Sequence, residues 1–420
     1  MESETGAPAR PGEWRSGWPV VAAAMIGIGT GPGLFQNVSS LFIDGMTTSF
    51  GWSRGELATA AGLGLLGALA VPFLGRLADR AGARLVIIAA MLTLGIAYAG
   101  FAAQTGGLYQ YQALVFLLSL TVAGTSAVVY GKLISARFER HRGIALGVAT
   151  SGIAIASLAL SPVIAWVVSS YGWRAGFATL GALVVFVALP LVLFLLRGAA
   201  TAPTRPGPGN PNATVPVAGM TGAEARRDSR FWRLGLSAAL VNVASVGLVT
   251  ALVPFGQDRG LTLEQAALLV TAFAASQIVG RLLMGALVDR FRPQLMAAGF
   301  AGLSALAFIG LQMPEPGLPL LLLLVFAAGL MNGAEHDLLP FLTARLFGLR
   351  AYGESYGLLL AIALAGTATG VVTFGRLHDA TGDYTAALFL AAGALALSAL
   401  LFLTLRERPL PLVQAAAEPA

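Results

Sequence analysis

Residues 271–290, TAFAASQIVGRLLMGALVDR, form an apolar run interrupted within by Gln277 and Arg281 and closed by Asp289-Arg290. Gln277 and Arg281 stand four residues apart, so a helix carries both on one face. An arginine this deep in an apolar segment is expensive unless it meets a polar cavity or a partner. The run therefore reads as a membrane-crossing helix with a polar residue placed for a purpose, and Arg281 is the first candidate for function.

The rest of the chain has the same character. Charged residues make up 11% of the 420 and apolar residues 56%, where a soluble domain carries about 25% charged residues. Apolar segments long enough to cross roughly 30 Å of hydrocarbon recur near 17–44, 55–74, 84–103, 108–135, 142–168 and 173–196. A second six follow near 231–256, 262–287, 294–312, 316–344, 353–376 and 384–404. The expected fold is an all-α membrane protein of twelve transmembrane helices in two six-helix bundles, 17–196 and 231–404.

Twelve crossings put both termini on one side. With the N-terminus inside, 21 of the Lys and Arg residues fall at cytoplasmic ends and loops. Arg54, Arg174, Arg259 and Arg376 lie outside, and Arg281 lies within a segment. This bias follows the positive-inside rule and explains the net charge of +6 without nucleic acid. Residues 1–16 lack the apolar run of a signal peptide and read as a cytoplasmic tail, as do 405–420. Residues 197–230 are rich in Pro, Gly, Ala and Thr and read as a flexible cytoplasmic linker. The multi-pass chain is placed in the cell (inner) membrane.

The absence of Cys excludes disulfides and thiolate chemistry, and three His residues with no His-Glu-x-x-His motif speak against a membrane enzyme. No cofactor, metal or obligate protein partner is expected.

An internal repeat is visible. Gly75-Arg76-Leu77-Ala78-Asp79-Arg80 follows the second segment and Gly285-Ala286-Leu287-Val288-Asp289-Arg290 the eighth, with Asp79 and Asp289 210 positions apart. Gly147 and Gly357 share that offset. Two parallel six-helix repeats place a binding site near the midplane between them.

The stretch GRLADRAGAR, 75–84, resembles the loop 2–3 signature of the major facilitator superfamily. That resemblance implies gating by Asp79 and Arg80, and by Asp289 and Arg290 in the second half. Gly17-Trp18, Phe50-Gly51-Trp52-Ser53-Arg54 and Gly375-Arg376-Leu377-His378-Asp379-Ala380-Thr381-Gly382-Asp383-Tyr384, with Arg281, resemble the monocarboxylate porters and the oxalate/formate antiporters. Animal-type monocarboxylate porters carry a lysine in the first helix and an aspartate four residues before the helix 8 arginine. Those positions hold Gln36 and Gln277 here, so coupling through that pair is closed to this chain.

The planar fork of Arg281 suits a carboxylate. Gln277 has two readings, a donor to the same anion or a bridge between helices. The tenth segment carries Asn332, Glu335, His336 and Asp337; His336 precedes Arg345 by nine residues, as Arg281 precedes Arg290. Both therefore lie roughly 13 Å from the same end and are placed to share a cavity. On that reading His336 couples protons; Glu335 and Asp337 point about 100° to either side of it, where they tie helices or the gate, and stand as the other candidates for proton coupling. Gln36, Tyr130 and Asn242 are further polar candidates for binding, and Asn37, Thr125, Ser126, Thr150, Ser151 and Ser245 are individually weaker ones, since most such groups bond their own backbone or pack helices.

The expected function is secondary transport of a small organic anion, a lactate- or pyruvate-like monocarboxylate moved with protons by alternating access. Exchange of the oxalate/formate type is the alternative. Proton/drug antiport is disfavoured by Ser161-Pro162-Val163-Ile164, where drug antiporters carry a glycine-rich signature.

Overall fold

The computed structural model describes residues 13–64, 82–135, 137–138, 142–197, 219–288, 290–314, 316–348 and 350–407. Its elements are helical, apart from one isolated bridge between Gly219 and Gly348. The N-terminal half contains α1 (Glu13–Gly29), α2 (Pro32–Val38), α3 (Ile43–Phe50), α4 (Arg54–Gly64), α5 (Ala83–Ala102) and α6 (Leu108–Leu120). It continues with α7 (Ala127–Ser135), α8 (Arg142–Thr150), α9 (Gly152–Tyr171), α10 (Trp173–Ala182) and α11 (Leu189–Leu195). After a short α12 (Gly222–Arg227), the C-terminal half is built from α13 (Ser229–Gln257), α14 (Leu263–Val288), α15 (Pro293–Gly310), α16 (Leu318–Phe347), α17 (Tyr352–Thr381) and α18 (Thr385–Leu403).

Among the described residues nine helices are long and apolar enough to cross a membrane. A tenth crossing is the pair Glu13–Gly29 and Pro32–Phe50, bent by 45°. The bend lies at Gly29-Thr30-Gly31-Pro32, where proline supplies no amide proton and glycine resists a helical turn least expensively to leave. The fourth apolar segment is divided between α6 and α7. Of the second, α4 is described, and residues 65–81 lie outside the described residues, Asp79 and Arg80 among them. Asp289 also lies outside them, while Arg290 is exposed just beyond α14.

The stretch expected to be a flexible linker ends in ordered chain. Thr221 and Glu224 cap α12 reciprocally, the Thr221 amide donating to the Glu224 carboxylate at 2.8 Å. The Met220 amide donates to the Phe347 carbonyl at 2.8 Å, and Arg226 pairs with Glu354. The described end of this stretch is thus held by a capping box and two ties to the C-terminal half. We call the end where α13 starts and α18 stops the linker end, and the opposite one the far end.

The buried apolar side chains of the two halves form one continuous core. In the first half, Phe42 stacks on Phe177 with ring centroids 4.0 Å apart, and Phe101 on Phe177 at 4.9 Å. The halves meet chiefly where α4 packs on α17 and α9 on α14. These two seams exchange under the repeat, since the second and fifth crossings of one half face the eleventh and eighth of the other.

The pair that carries most of the charged candidates, α14 and α16, crosses backbone to backbone. A Cβ on Gly333 would overlap the Gln277 carbonyl, and one on Gly280 would overlap the Leu330 carbonyl. Small residues let membrane helices approach in this way. Gly333→Val is therefore expected to lower stability by about 1–3 kcal/mol through overpacking. Thermal unfolding of the purified protein reads this directly, and an unchanged midpoint would show that the crossing separates freely.

Candidate functional site

The glycine crossing puts Gln277 and Arg281 of α14 beside Asn332 and Asp337 of α16, and both α14 side chains face the other half. Gln277 donates its amide to Asn332 Oδ1 at 2.8 Å. Its own Oε1 receives Asn37 Nδ2 from α2 at 3.4 Å, and Asn37 also donates to Ser157 Oγ of α9 at 2.9 Å. Of the two readings of Gln277, the observed contacts are those of the bridge: four neutral side chains from both halves form one chain of hydrogen bonds.

Arg281 lies one helical turn closer to the linker end. Its Nη1 donates to Thr150 Oγ1, at the end of α8 in the N-terminal half, at 3.0 Å. Its Nε lies 3.3 Å from Asp337 Oδ2 of the C-terminal half, without the alignment of a hydrogen bond. Arg281 is thus gripped from both halves, and its side chain is only 16% exposed against 44% for Asp337. A guanidinium offers five N–H donors. One of them, on Nη1, is engaged by Thr150 among the described residues.

Asp337, one of the three expected proton-coupling residues, lies beside Arg281. The angular argument turns it away from the His336 direction, toward helix ties or the gate, yet it is the carboxylate nearest Arg281. The wheel angle locates a Cβ, whereas the long arginine side chain reaches back toward the neighbouring helix. His336 is half-exposed, its side chain 51% accessible. Its Nδ1 sits 2.9 Å from the Asn332 carbonyl one turn earlier. A carbonyl can only accept, so Nδ1 carries the proton and Nε2 is left as the basic nitrogen. Glu335 is buried, its Oε2 3.8 Å from His336 Nδ1, with its carboxyl beside the Asn242 amide of α13.

Three expected binding residues stand apart from Arg281. Asn242 donates to the Ala238 carbonyl at 2.9 Å and accepts from Thr367 of α17 at 3.2 Å, which ties helices within the C-terminal half. Tyr130 is fully buried against Gly27, its hydroxyl unpartnered among the described residues. Gln36 is partly buried one residue before Asn37, and its backbone carbonyl accepts from Ser39 Oγ at 3.1 Å.

Sequence reasoning overlooked a second cluster at the far end. Arg54 donates in bidentate fashion to Asp258, at 2.6 Å and 2.9 Å. Its Nη1 is also 2.9 Å from His378 Nε2 and 3.4 Å from the Tyr384 hydroxyl, and its Nη2 is 3.4 Å from Asp44. The Gly55 amide donates to both oxygens of Asp379 at 3.0 Å, and Arg376 Nε donates to Thr59 at 2.9 Å. Arg54, Gly55, Thr59 and Asp44 belong to one half, and the other residues to its partner. The signal was present: Arg54 closes one of the motif stretches noted above, and Arg376, His378, Asp379 and Tyr384 stand in another.

An all-helical chain with two six-helix halves meeting at paired seams is the architecture of a multi-pass membrane transporter. The sequence model of the Major Facilitator Superfamily matches residues 20–267 and 234–420, and the chain belongs to that family. It is 31% identical over 413 residues to human "Monocarboxylate transporter 11", covering 94% of this chain and 83% of the relative. Its fold is similar to that of a bacterial homolog of the human lysosomal transporter Spinster in an inward-facing and occupied conformation, with a TM-score of 0.67 and 16% identity. That match covers 94% of this chain and 97% of the other. The nucleoside transporter NupG matches with a TM-score of 0.68 and 15% identity, over 92% of this chain and 98% of that one. The protein is accordingly a transporter related to the monocarboxylate transporters, and its family is not one of enzymes.

Proposed function

We propose that this transporter carries a small monocarboxylate, lactate- or pyruvate-like, together with a proton, by alternating access across the cell (inner) membrane with both termini cytoplasmic. The observation that carries the reading is Arg281 at the seam, bonded to Thr150 of one half and set beside Asp337 of the other. A cation held by both halves is suited to sense which of them an anion has joined.

Without substrate, Asp337 neutralises Arg281. An entering carboxylate competes for the guanidinium fork and brings a second negative charge next to Asp337. We assign the coupled proton to Asp337, the acid that shares Arg281 with the entering anion. Each ligand then raises the affinity for the other, which is the reciprocity symport requires. Asp337 thereby replaces His336 as the leading coupling group, because it is the acid at Arg281. His336 Nε2 and Glu335 remain nearby stations for the proton. The neutral bridge through Gln277 lies one turn farther in and bounds the site toward the far end.

Sidedness follows the arginine distribution, which places the linker end in the cytoplasm. Gating by Asp79, Arg80, Asp289 and Arg290 at that end is part of the same proposal.

Uptake into proteoliposomes tests the function. Labelled lactate or pyruvate should accumulate when the outside is acidic and should only equilibrate when the pH is equal on both sides. Exchange against internal oxalate or formate, with no response to the pH gradient, would replace symport with anion exchange.

A further inference from the structure

The far-end cluster contains an imidazole in an unusual position between a cation and a carboxylate. His378 Nε2 lies 2.9 Å from Arg54 Nη1 and 3.4 Å from Asp258 Oδ2. Arg54 can only donate, so Nε2 is the acceptor and the ring is neutral with its proton on Nδ1. Nδ1 is buried and makes no hydrogen bond among the described residues. A further proton must therefore arrive at Nε2, the nitrogen that holds Arg54.

Which bonds cross the seam decides the outcome. Arg54 belongs to the N-terminal half, whereas Asp258 and His378 both belong to the C-terminal half. With His378 neutral, both Asp258 oxygens and His378 Nε2 serve Arg54, and all of these bonds join the halves. Once protonated, Nε2 becomes a donor. It then loses its bond from Arg54, stands as a like charge beside it, and turns to Asp258 Oδ2, the oxygen Arg54 was using. Contacts between the halves are exchanged for one within a half.

The other charged and titratable groups around the ring do not reverse this. Asp44 of α3 touches Arg54 at 3.4 Å and belongs to its half, so it holds Arg54 back when His378 lets go. Tyr384 is neutral near pH 7 and its ring packs on His378 with centroids 4.6 Å apart. On the same helix as His378, Asp379 is held by the Gly55 amide and Arg376 by Thr59. The side chains of Arg54 and His378 are both 17% exposed and that of Asp258 35%, so protons can reach the cluster from the far end.

We propose that His378 is a proton-binding site that unlatches the far-end seam, so that acid on that side favours opening toward it. The site is separate from the Arg281 site, and only its sidedness in the cell rests on the function proposed above.

The chain has no cysteine, so paired spin labels can be placed at Tyr109→Cys and Met313→Cys. These are exposed far-end positions, one on each half. Electron–electron distances are then measured in lipid nanodiscs at pH 8 and at pH 5.5. The distribution should move to longer distances at pH 5.5. His378→Gln in this background still accepts from Arg54 but takes no proton, and should keep the pH 8 distribution at both values. Its agreement with the parent at pH 8 also shows that it is folded. Arg54→Gln removes the donor and should show the longer distances at both values. No shift in the parent overturns the proposal. An undiminished shift in His378→Gln also overturns it and assigns the response to another group such as Asp337. Should His378→Gln fail to fold, a pH-dependent closed distribution in Arg54→Gln overturns it equally.

Discussion

Replacing Arg281 with lysine is expected to reduce uptake of a monocarboxylate by roughly tenfold to a hundredfold while leaving expression and melting close to those of the parent. The ammonium keeps the charge, so Asp337 remains neutralised and the fold is not burdened with an unpaired acid. What is lost is the planar fork that engages Thr150 and a carboxylate at once. A charge-assisted hydrogen bond contributes about 1.5–3 kcal/mol, and each 1.4 kcal/mol is a factor of about ten in affinity. Substrate binding by calorimetry or transport kinetics checks the estimate. Affinity retained within about a factor of three would mean that Arg281 holds the two halves together and does not bind the anion.

Asp337→Asn should separate binding from coupling. Asparagine has nearly the shape of aspartate but competes poorly for a guanidinium and takes up no proton near pH 7. Counterflow, which moves labelled substrate against unlabelled with no net proton transfer, is expected to persist. The apparent affinity should stay the same or rise up to about tenfold, since the internal competitor is gone. Accumulation driven by a pH gradient should disappear. If the variant still concentrates substrate under an inward proton gradient, Asp337 is not the coupling group and His336→Gln becomes the decisive variant. If both counterflow and accumulation are lost, the residue serves the architecture of α16.

Much of this arrangement was legible in the sequence. Arg281 stands out because the hydrocarbon around it admits almost no other charge, so composition alone isolates it. The bend in the first crossing follows from a Gly-Thr-Gly-Pro stretch that offers few ways to continue a helix. Its partners were harder to see. Thr150 bonds the carbonyls of Leu146 and Gly147 at 3.0 Å and 3.2 Å, as threonines in membrane helices commonly do, while its oxygen also accepts from Arg281. Nothing in the chain's local pattern announces that second bond. The closeness of Asp337 to Arg281 was not readable from a helical wheel, which does not describe the reach of a long side chain on the next helix. The crossing at Gly280 and Gly333 was hidden among 52 glycines that the sequence alone does not tell apart. The far-end cluster joins residues as distant as Arg54 and Tyr384, and only the fold brings them together.

The neutral bridge from Ser157 through Asn37 and Gln277 to Asn332 has a consequence for the working cycle. Every turnover must part the halves and rejoin them, and each tie must be tolerable when broken. An amide left briefly unmatched away from water costs a few kcal/mol, whereas a lone buried ion costs several times more. The ionic ties through Arg54 sit at helix ends, where water can take over each charge as it is released. At mid-depth, where water is scarcer, the bridge uses dipoles, and the Arg281 charge one turn away keeps Asp337 of its own half beside it when Thr150 lets go. Fasteners graded by depth in this way let a transporter hold firmly in each state without raising a prohibitive barrier between them.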